Sequence, residues 1–365
     1  MKEKNVLILA NDTTYTYNLR DELIKGLINK GARVHFAGAL EAFVDELKGI
    51  GCEIHPISVE RRGTNPLSDI TLIFQYIKLM RQIKPYAVLG YNIKPNVYGG
   101  VAAQLMRIDF FPNVTGLGGA VLHKGLMSKL THIMYKVGLR KAKCIFFQNE
   151  SNKQYMLEQR IVTASHESVV LPGSGVALAK NPFESYPDET DIIRFLFVGR
   201  IMRDKGIQEL LEAAKIVKER YPFVEINIIG GCDEDLGDML KMAHDQGLIN
   251  YLGRINGVHD YIKAAHCIVL PSYHEGMANV LLESAAAGRP VIATKVPGCI
   301  ETFDDGVTGF GCNVRDAVDL ASKMIAFIDL PYSKKVAMGA AGRAKIEKQF
   351  DRHLVVQAYI RQIFA

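Results

Sequence analysis

The stretch Arg194-Phe-Leu-Phe-Val-Gly-Arg-Ile-Met-Arg-Asp-Lys-Gly206 carries the pattern that decides the fold of this chain. Its first part, Arg194–Val198, is a short apolar run of the kind found in strands buried on both faces of a sheet. Apolar residues at helical spacing follow the second glycine: Ile207, Leu210, Leu211, Ala214 and Val217. The stretch therefore predicts a strand, a turn and a helix, which together form the repeating unit of parallel α/β sheets.

The same alternation runs along the whole chain and predicts two domains. The other predicted strands are Val6–Ala10, Val34–Ala37, Glu53–Ile57, Ala87–Tyr91, Cys144–Gln148, Val224–Ile229, Cys267–Leu270 and Val291–Thr294. A segment rich in glycine and proline between Leu171 and Pro187 is typical of an interdomain connection. We expect Rossmann-like domains at 1–175 and 176–350, with a helix at about 351–365 that packs back on the first domain. Such domains, facing each other, bind ligands in a cleft at the carboxyl ends of their strands.

Composition narrows the class of protein and the compartment. A chain of 365 residues with 48% hydrophobic and 23% charged residues is typical of a soluble α/β protein of two domains. The sequence contains no apolar run approaching the roughly 18 residues of a membrane span. The six cysteines form no CxxC pair, which favours a reducing cytoplasm and predicts no structural zinc.

Positive charge is concentrated in the N-terminal half. Residues 1–180 carry 23 Lys and Arg against 14 Asp and Glu, whereas residues 181–365 carry 21 against 25. This bias suggests an anionic partner, either phosphate groups or an anionic membrane surface, although a chance bias is the alternative.

One segment of this half, residues 124–143, combines an apolar stripe with a basic face. The stripe contains Leu126, Leu130, Ile133, Met134 and Val137, and the basic face contains Lys129, His132, Lys136, Arg140 and Lys143. A helix lying on a membrane has this pattern, and so does a solvated surface helix that packs on its own sheet.

The first chemical motif is the turn after the Arg194–Val198 strand. Gly199, Arg200 and Lys205 lie between the strand and the positive end of a helix. A guanidinium fork and an ammonium group at such a place suit a diphosphate. Two solvated loop cations are the alternative.

The second motif is Glu275-Gly-Met-Ala-Asn-Val-Leu-Leu-Glu283. We predict a helix that begins near Ala278 and ends at Gly288, so that the two carboxylates lie about 12 Å apart along a helix. This distance suits the hexose and the ribose at opposite ends of one nucleotide-sugar. The alternative is a helix-start acid and an exposed mid-helix acid. Phosphate would bind the backbone N–H groups at the helix start, those of Met277, Ala278, Asn279 and Val280. Gly276 belongs to the same predicted donor site.

The order GRxxxxKG followed by E-x7-E resembles the family 4 retaining glycosyltransferases of the GT-B fold, and the resemblance covers the whole chain. It implies that Arg200 and Lys205 hold the donor diphosphate, that Glu283 binds the ribose, and that Glu275 contacts the donor sugar. Gly230 and Arg254 lie in segments that resemble the loops around the nucleotide. Arg200, Lys205 and Glu275 are the implied catalytic residues. The resemblance implies a UDP-sugar as donor substrate, with no separate cofactor and no metal.

More closely, the chain is similar to bacterial capsule, O-antigen and protein-glycan transferases that extend undecaprenyl-diphosphate-linked sugars. This similarity rests on motifs such as Asn92-Ile-Lys94-Pro-Asn96 and Thr115-Gly-Leu-Gly118. The chain departs from many members at Asn11-Asp12-Thr13-Thr14, where they carry a Gly-Gly turn. The implied acceptor site contains Arg61, Arg62, Lys94, Thr115, Gly116, Gly118 and His123, the last as candidate active-site histidine.

Together these features predict transfer of a hexose or N-acetylhexosamine from a UDP-sugar to an undecaprenyl-diphosphate-linked sugar, with retention at the anomeric carbon. An α-1,3-N-acetylgalactosaminyltransferase is one such enzyme. We expect a cytoplasmic protein, peripheral at the inner face of the membrane, with no nucleic-acid partner. The alternatives are a UDP-N-acetylglucosamine 2-epimerase and a non-catalytic subunit of a heteromeric transferase. The triplet Asp233-Glu-Asp235 matches a metal motif of another glycosyltransferase fold but lacks its context.

Overall fold

The computed structural model describes residues 4–58, 66–116, 125–190, 192–232, 234–255 and 257–365. The chain divides into two compact units, the first formed by Met1–Gly175 with Arg352–Ala365 and the second by Val176–Asp351. Within the described ranges, every named strand pairs in parallel with its neighbours.

Unit 1 is built on a sheet whose described strands have the order β3-β2-β1-β4-β5-β6-β7. The strands are β1 (Lys4–Asp12), β2 (Ala32–Ala39), β3 (Glu53–Pro56), β4 (Ala87–Tyr91), β5 (Asp109–Val114), β6 (Ile145–Phe147) and β7 (Ser168–Val170). The helices are α1 (Thr13–Asn29), α2 (Val44–Gly49), α3 (Pro66–Ile83), α4 (Gly100–Met106), α5 (Leu126–Leu139) and α6 (Glu150–Glu158), with a π-helical turn at Pro95–Gly99.

Both faces of this sheet are covered. Val6 and Ile8 of β1 lie in one apolar cluster, and Leu7 and Leu9 lie in the cluster on the other face. Side chains alternate along a strand, so a strand covered on both faces must be apolar throughout. This requirement explains the uninterrupted apolar run by which the strand is found in the sequence.

Unit 2 contains the second sheet, whose described strands have the order β10-β9-β8-β11-β12-β13. The strands are β8 (Arg194–Val198), β9 (Glu225–Ile229), β10 (Asn250–Tyr251), β11 (Cys267–Leu270), β12 (Val291–Thr294) and β13 (Gly309–Cys312). The helices are α7 (Ile207–Arg220), α8 (Gly237–Asp245), α9 (His259–Ala264), α10 (Asn279–Ala286), α11 (Ala317–Ile328) and α12 (Tyr332–Gln349).

The last helix, α13 (Arg352–Phe364), belongs to unit 1 although it follows unit 2 in the chain. Its Val356 and Tyr359 are buried in the cluster that also contains Val6 and Ile8. The Arg352 guanidinium donates to the Asn18 carbonyl oxygen over 3.0 Å and lies 3.4 Å from a carboxylate oxygen of Asp21, which is fully buried. A charged pair at the first residue of the helix therefore fixes its place on α1.

All the strands predicted from apolar runs are confirmed, with ends that differ by at most two residues. The strands β5, β7, β10 and β13 did not stand out in the sequence. β5 contains Pro112, which lacks an N–H for the ladder, and β10 has only two residues. None of the helices in the described ranges has both the length and the apolar character needed to cross a bilayer.

Candidate active site

The turn after β8 is shaped by Gly206, which has a φ of +72° and immediately precedes α7. A Cβ atom at this position would lie 2.1 Å from the carbonyl oxygen of Pro271, so only glycine lets the turn lie this close to the end of β11. The Tyr273 N–H also donates to the Asp204 carbonyl oxygen over 2.8 Å. The turn that carries Lys205 is thereby held against the segment that follows β11.

Lys205 and Glu275 form an ion pair, in which the Lys205 ammonium donates to Oε1 of Glu275. The Ser272 hydroxyl donates to the same oxygen over 2.8 Å. The two side chains of the ion pair are only 18% and 13% exposed, so solvent screens the pair weakly. The neighbouring strands β8 and β11 thus bring together the two sequence motifs, 70 residues apart, at their carboxyl ends.

The backbone of Glu275 is held by the Pro297-Gly298 turn. The Glu275 N–H donates to the Pro297 carbonyl oxygen over 3.3 Å, and the Ala278 N–H donates to the Gly298 carbonyl oxygen over 2.8 Å. Gly298 itself has a φ of +83°, and its N–H donates to a Glu301 carboxylate oxygen over 2.7 Å. A Cβ atom on Gly298 would lie 2.5 Å from the Glu275 carbonyl oxygen. The Glu275 loop therefore depends on a glycine from a distant turn.

Helix α10 begins at Asn279, so Glu275 lies four residues before it in non-helical chain. The predicted start near Ala278 is confirmed, and the helical rise used to place Glu275 and Glu283 about 12 Å apart therefore does not apply to the first half of that interval. Glu283 lies within α10 and is half-buried. The predicted stop is confirmed, since Gly288 follows the helix with a φ of +77°.

Among the amides predicted to bind phosphate, the Ala278 N–H is already bonded to Gly298. The N–H groups of Asn279 and Val280 lie in the first helical turn, which offers no carbonyl four residues earlier within the helix. These two amides fit an anion best. Gly276 is half-buried and Met277 is buried beside them.

The loops predicted to surround the nucleotide meet at the carboxyl ends of β8, β9 and β10. The Gly199 N–H donates to Ile229 over 3.0 Å, and the Gly230 N–H donates to Gly253 over 2.8 Å. A Cβ atom on Gly230 would lie 1.7 Å from the Gly199 carbonyl oxygen, so this approach requires glycine. Arg254 follows directly and is exposed, as is Arg200. Two exposed guanidinium groups therefore lie on loops at one edge of the sheet in unit 2.

In unit 1, Lys94 and Thr115 follow the neighbouring strands β4 and β5 and so lie at one edge of the sheet. The Lys94 ammonium donates to a carboxylate oxygen of Asp69 over 2.8 Å, and each of the two side chains is 14% exposed. Burial raises the pKa of the nearby Tyr98 hydroxyl, and Asp69 raises it further. Lys94 therefore already has a carboxylate partner that an acceptor phosphate would have to share. Gly116 follows Thr115 directly, whereas the predicted acceptor residues Arg61, Arg62, Gly118 and His123 lie outside the described residues.

The structure of the loop after β1 explains why this chain lacks the Gly-Gly turn that many family members carry there. β1 continues through Asp12 and α1 begins at the next residue. The Asp12 carboxylate accepts the Tyr15 N–H over 2.8 Å and caps the helix. The Asn11 N–H donates to the Asn92 side-chain oxygen over 3.3 Å. This strand-to-helix junction is closed by side chains, and a Gly-Gly turn is not used.

Three residues that support the site were missed in the sequence: Ser272, Tyr273 and Gly298. Tyr273 donates its hydroxyl proton to Glu209 over 2.6 Å, and the Arg315 guanidinium lies 4.5 Å from the centre of its ring. Polar residues within three positions of the end of a buried strand, and a Pro-Gly pair, are the features that could have drawn attention to them. Of the triplet Asp233-Glu-Asp235, Asp233 lies outside the described residues and Asp235 is exposed.

Two family models match successive parts of the chain. Residues 5–149 match the family described as "Glycosyl transferase 4-like", and residues 193–329 match "Glycosyl transferases group 1". Each match falls within one of the two units. The chain belongs to the glycosyltransferases of the GT-B fold, which confirms the resemblance inferred from GRxxxxKG and E-x7-E.

Among individual relatives, the chain is similar to an N,N'-diacetylbacillosaminyl-diphospho-undecaprenol alpha-1,3-N-acetylgalactosaminyltransferase of Campylobacter jejuni. The two are 24% identical over 363 residues, which cover 94% of each chain. The chain is also 26% identical to the capsular polysaccharide biosynthesis glycosyltransferase CapM of Staphylococcus aureus, over 85% of this chain and 84% of CapM.

Solved structures confirm the fold. The sucrose-phosphate synthase of Thermosynechococcus elongatus matches with a TM-score of 0.81 at 20% identity, over 99% of each chain. The Anabaena protein HepE, in complex with UDP and glucose, matches with a TM-score of 0.80 at 16% identity, also over 99% of each chain.

Proposed function

We propose that this glycosyltransferase moves a hexose or N-acetylhexosamine from a UDP-sugar to an undecaprenyl-diphosphate-linked sugar, with retention at the anomeric carbon. The observation that carries the proposal is the largely buried Lys205–Glu275 ion pair, whose Glu275 lies in the loop that leads into α10. It joins the two motifs that the family resemblance assigns to one donor. The undecaprenyl-linked acceptor is supported by the C. jejuni relative, which matches along nearly the whole chain.

In this proposal the ion pair does two things. Lys205 has three N–H donors, so it can keep its bond to Glu275 and still donate to a diphosphate oxygen. Glu275, oriented by Ser272, accepts hydrogen bonds from hydroxyl groups of the donor sugar. Arg200 and the amides of α10 face the negative charge that grows on the leaving diphosphate, where fixed donors lower the barrier most.

The reaction then needs no protein nucleophile. The bond between the anomeric carbon and the UDP oxygen breaks, and the acceptor oxygen bonds to the same face of that carbon. The acceptor's proton passes to the leaving phosphate. The fixed cations and helix amides neutralise the diphosphate, so the proposed reaction proceeds without a divalent metal.

The donor site is tested by comparing Arg200→Ala and Lys205→Ala with Arg203→Ala. Arg203 lies in the same turn, is exposed and lies 3.9 Å from a carboxylate oxygen of Glu234. Arg203→Ala therefore removes one positive charge from the same turn and is the matched control. We expect each of the first two variants to lose about 100-fold in transfer rate, as for loss of a transition-state contact. Arg203→Ala should stay near wild type. Equal activity in all three, with unchanged melting temperatures, would show that the diphosphate binds elsewhere.

The two rival functions are distinguished from sugar transfer by the substrates that each requires. A 2-epimerase would convert UDP-N-acetylglucosamine without an acceptor, whereas the proposed enzyme releases UDP quickly only when a lipid-linked sugar is added. A non-catalytic subunit would do neither. A panel of UDP-sugars, ranked first by the melting temperature each one gives, identifies the donor to use in this assay. N-acetylgalactosamine transfer in α-1,3 linkage is the first product to test for.

The exposed face of α5 supports a membrane-bound acceptor. Three residues of the stripe that the sequence marks as apolar face outward: Leu130, Ile133 and Val137 are 45%, 60% and 51% exposed, whereas Met134 packs against the core. The fully buried apolar residues of α5 in the core are Tyr135 and Leu139, which are 1% and 0% exposed. An exposed apolar stripe on an otherwise well-packed helix is characteristic of surfaces that bind another partner.

The charges on α5 indicate which partner. Lys129, Lys136 and Arg140 are exposed and recur at helical spacing beside the apolar stripe. A second apolar row lies on α3 of the same unit, where Leu67 and Phe74 are 76% and 64% exposed. Apolar side chains beside lysine and arginine suit the boundary between acyl chains and anionic headgroups. We therefore place the protein at the inner face of the cytoplasmic membrane in this proposal.

Vesicle flotation tests this surface. Changing Lys129, Lys136 and Arg140 together to Gln should reduce binding to vesicles containing phosphatidylglycerol, and the difference should shrink at high salt. The matched control changes three exposed lysines of unit 2 to Gln, namely Lys215, Lys241 and Lys348. Equal binding by the two triple variants would contradict the membrane assignment and leave the donor site unaffected.

A further inference from the structure

Two histidines and a glutamate meet on the edge strand of the unit 1 sheet and on the strand next to it. His35 lies on β2, and Glu53 and His55 lie on the edge strand β3. In the parallel register, His35 is opposite Glu53 and Ala37 is opposite His55. Because side chains alternate along each strand, all three residues project from the same face of the sheet.

Two of the three distances between their polar atoms are short and similar. His35 Nδ1 lies 3.1 Å from His55 Nε2 and 3.4 Å from a carboxylate oxygen of Glu53. One ligand atom from each residue lies within 4.8 Å of the others. Two ligand atoms in a tetrahedral zinc site, each 2.0–2.1 Å from the metal, are about 3.3 Å apart. These two separations therefore lie close to the edge length of a zinc tetrahedron.

The surroundings favour a fixed site. His35 is 4% exposed and cannot swing into solvent. Arg33 donates to the second carboxylate oxygen of Glu53, which leaves the first oxygen facing His35. An outer partner that orients a carboxylate in this way is typical of metal sites. A pair of histidines with one carboxylate is also a ligand set that zinc uses, with water in the fourth position.

We propose that His35, Glu53 and His55 bind a divalent transition metal, with zinc as the preferred ion, and that the metal holds the edge strand β3 to β2. β3 is only four residues long and pairs with a neighbour on one side in the described sheet. A bond from both strands to one ion would stabilise that pairing. The competing explanation is a plain hydrogen bond between the two imidazole rings.

Zinc titration of the full chain, purified without a histidine tag and stripped with a chelator, tests the proposal. We expect one zinc per chain by calorimetry and a rise in melting temperature that EDTA reverses. Cobalt should give the intense visible absorption of a four-coordinate site. His55→Gln and Glu53→Gln should each weaken zinc binding at least tenfold. His353→Gln, which removes an exposed histidine of α13, should bind zinc as the wild type does.

The substitutions are made at the partly exposed His55 and Glu53, because a change at the buried His35 could unfold the protein. Zinc binding with the same affinity in His55→Gln and wild type would overturn the proposal. A wild-type chain that bound no more zinc than the variants would also overturn it. A melting temperature insensitive to zinc would overturn the strand-holding role. These readouts do not use sugar transfer, so they are independent of the proposed activity.

Discussion

Replacing Gly298 by alanine tests whether the Glu275 loop must keep its position for transfer. An alanine Cβ would lie 2.5 Å from the Glu275 carbonyl oxygen, whereas ordinary contacts begin near 3.4 Å. The Glu275 loop must therefore move by about 1 Å, and a misplacement of that size can cost about 100-fold in rate. The positive φ adds a folding cost of about 1–2 kcal/mol, which lowers the melting temperature by a few degrees.

The control separates strain in the backbone from displacement of Glu275. Gly306 has a similar φ of +78°, but a Cβ atom there would meet no atom within 4 Å. Gly306→Ala should therefore lose a similar amount of stability and keep its activity. Initial rates of UDP release and thermal melts measure both effects. If Gly298→Ala turned over as fast as Gly306→Ala, the position of Glu275 would not limit transfer and the argument would fail.

Three further predictions concern ligands, metals and pH. Calorimetry should show that Glu283→Gln weakens the binding of UDP itself, whereas Glu275→Gln leaves UDP binding unchanged and weakens only the binding of the intact donor. Equal losses of UDP affinity in the two variants would refute the assignment. Transfer at 25 °C should survive EDTA even though EDTA lowers the melting temperature; activity restored only by magnesium or manganese would show a catalytic metal. Burial, with a contribution from Arg194, lowers the pKa of His266 to about 4, from about 6.5 in the unfolded chain. The unfolded chain thus binds the extra proton first as the pH falls, and the free energy of unfolding should drop by about 2 kcal/mol between pH 7 and pH 5. Denaturant midpoints should show this drop in the wild type and a smaller one in His266→Gln.

The donor site shows which features a sequence pattern can predict and which it cannot. The sequence places Lys205 in a strand-to-helix turn and Glu275 near a helix start, because glycines and apolar spacing are local features. It could not show that the two side chains form an ion pair, since that contact depends on β8 and β11 being neighbours. The order of strands in a sheet is a long-range property. The role of Gly298 was missed for the same reason, since the backbone it contacts is that of Glu275.

Helix α5 shows a different limit. Its apolar stripe and its basic face are both visible in the sequence, but periodicity cannot tell a stripe that packs on a sheet from one that faces outward. Tyr135 and Leu139 take the sheet-facing positions, and this leaves Ile133 exposed. Only the packing of the surrounding elements decides which side of the helix is covered.

By itself, the sequence determined the class of fold, the family motifs and the residues assigned to the donor, because strands buried on both faces require continuous apolar runs and tight turns require glycine. The tertiary structure decided which of these residues meet. The parallel register of β2 and β3 gathers His35, Glu53 and His55, which no spacing along the chain predicts. The same applies to Lys205 and Glu275. Side-chain contacts of this kind arise from strand order and register, which are set by the packing of the whole sheet and not by any local stretch.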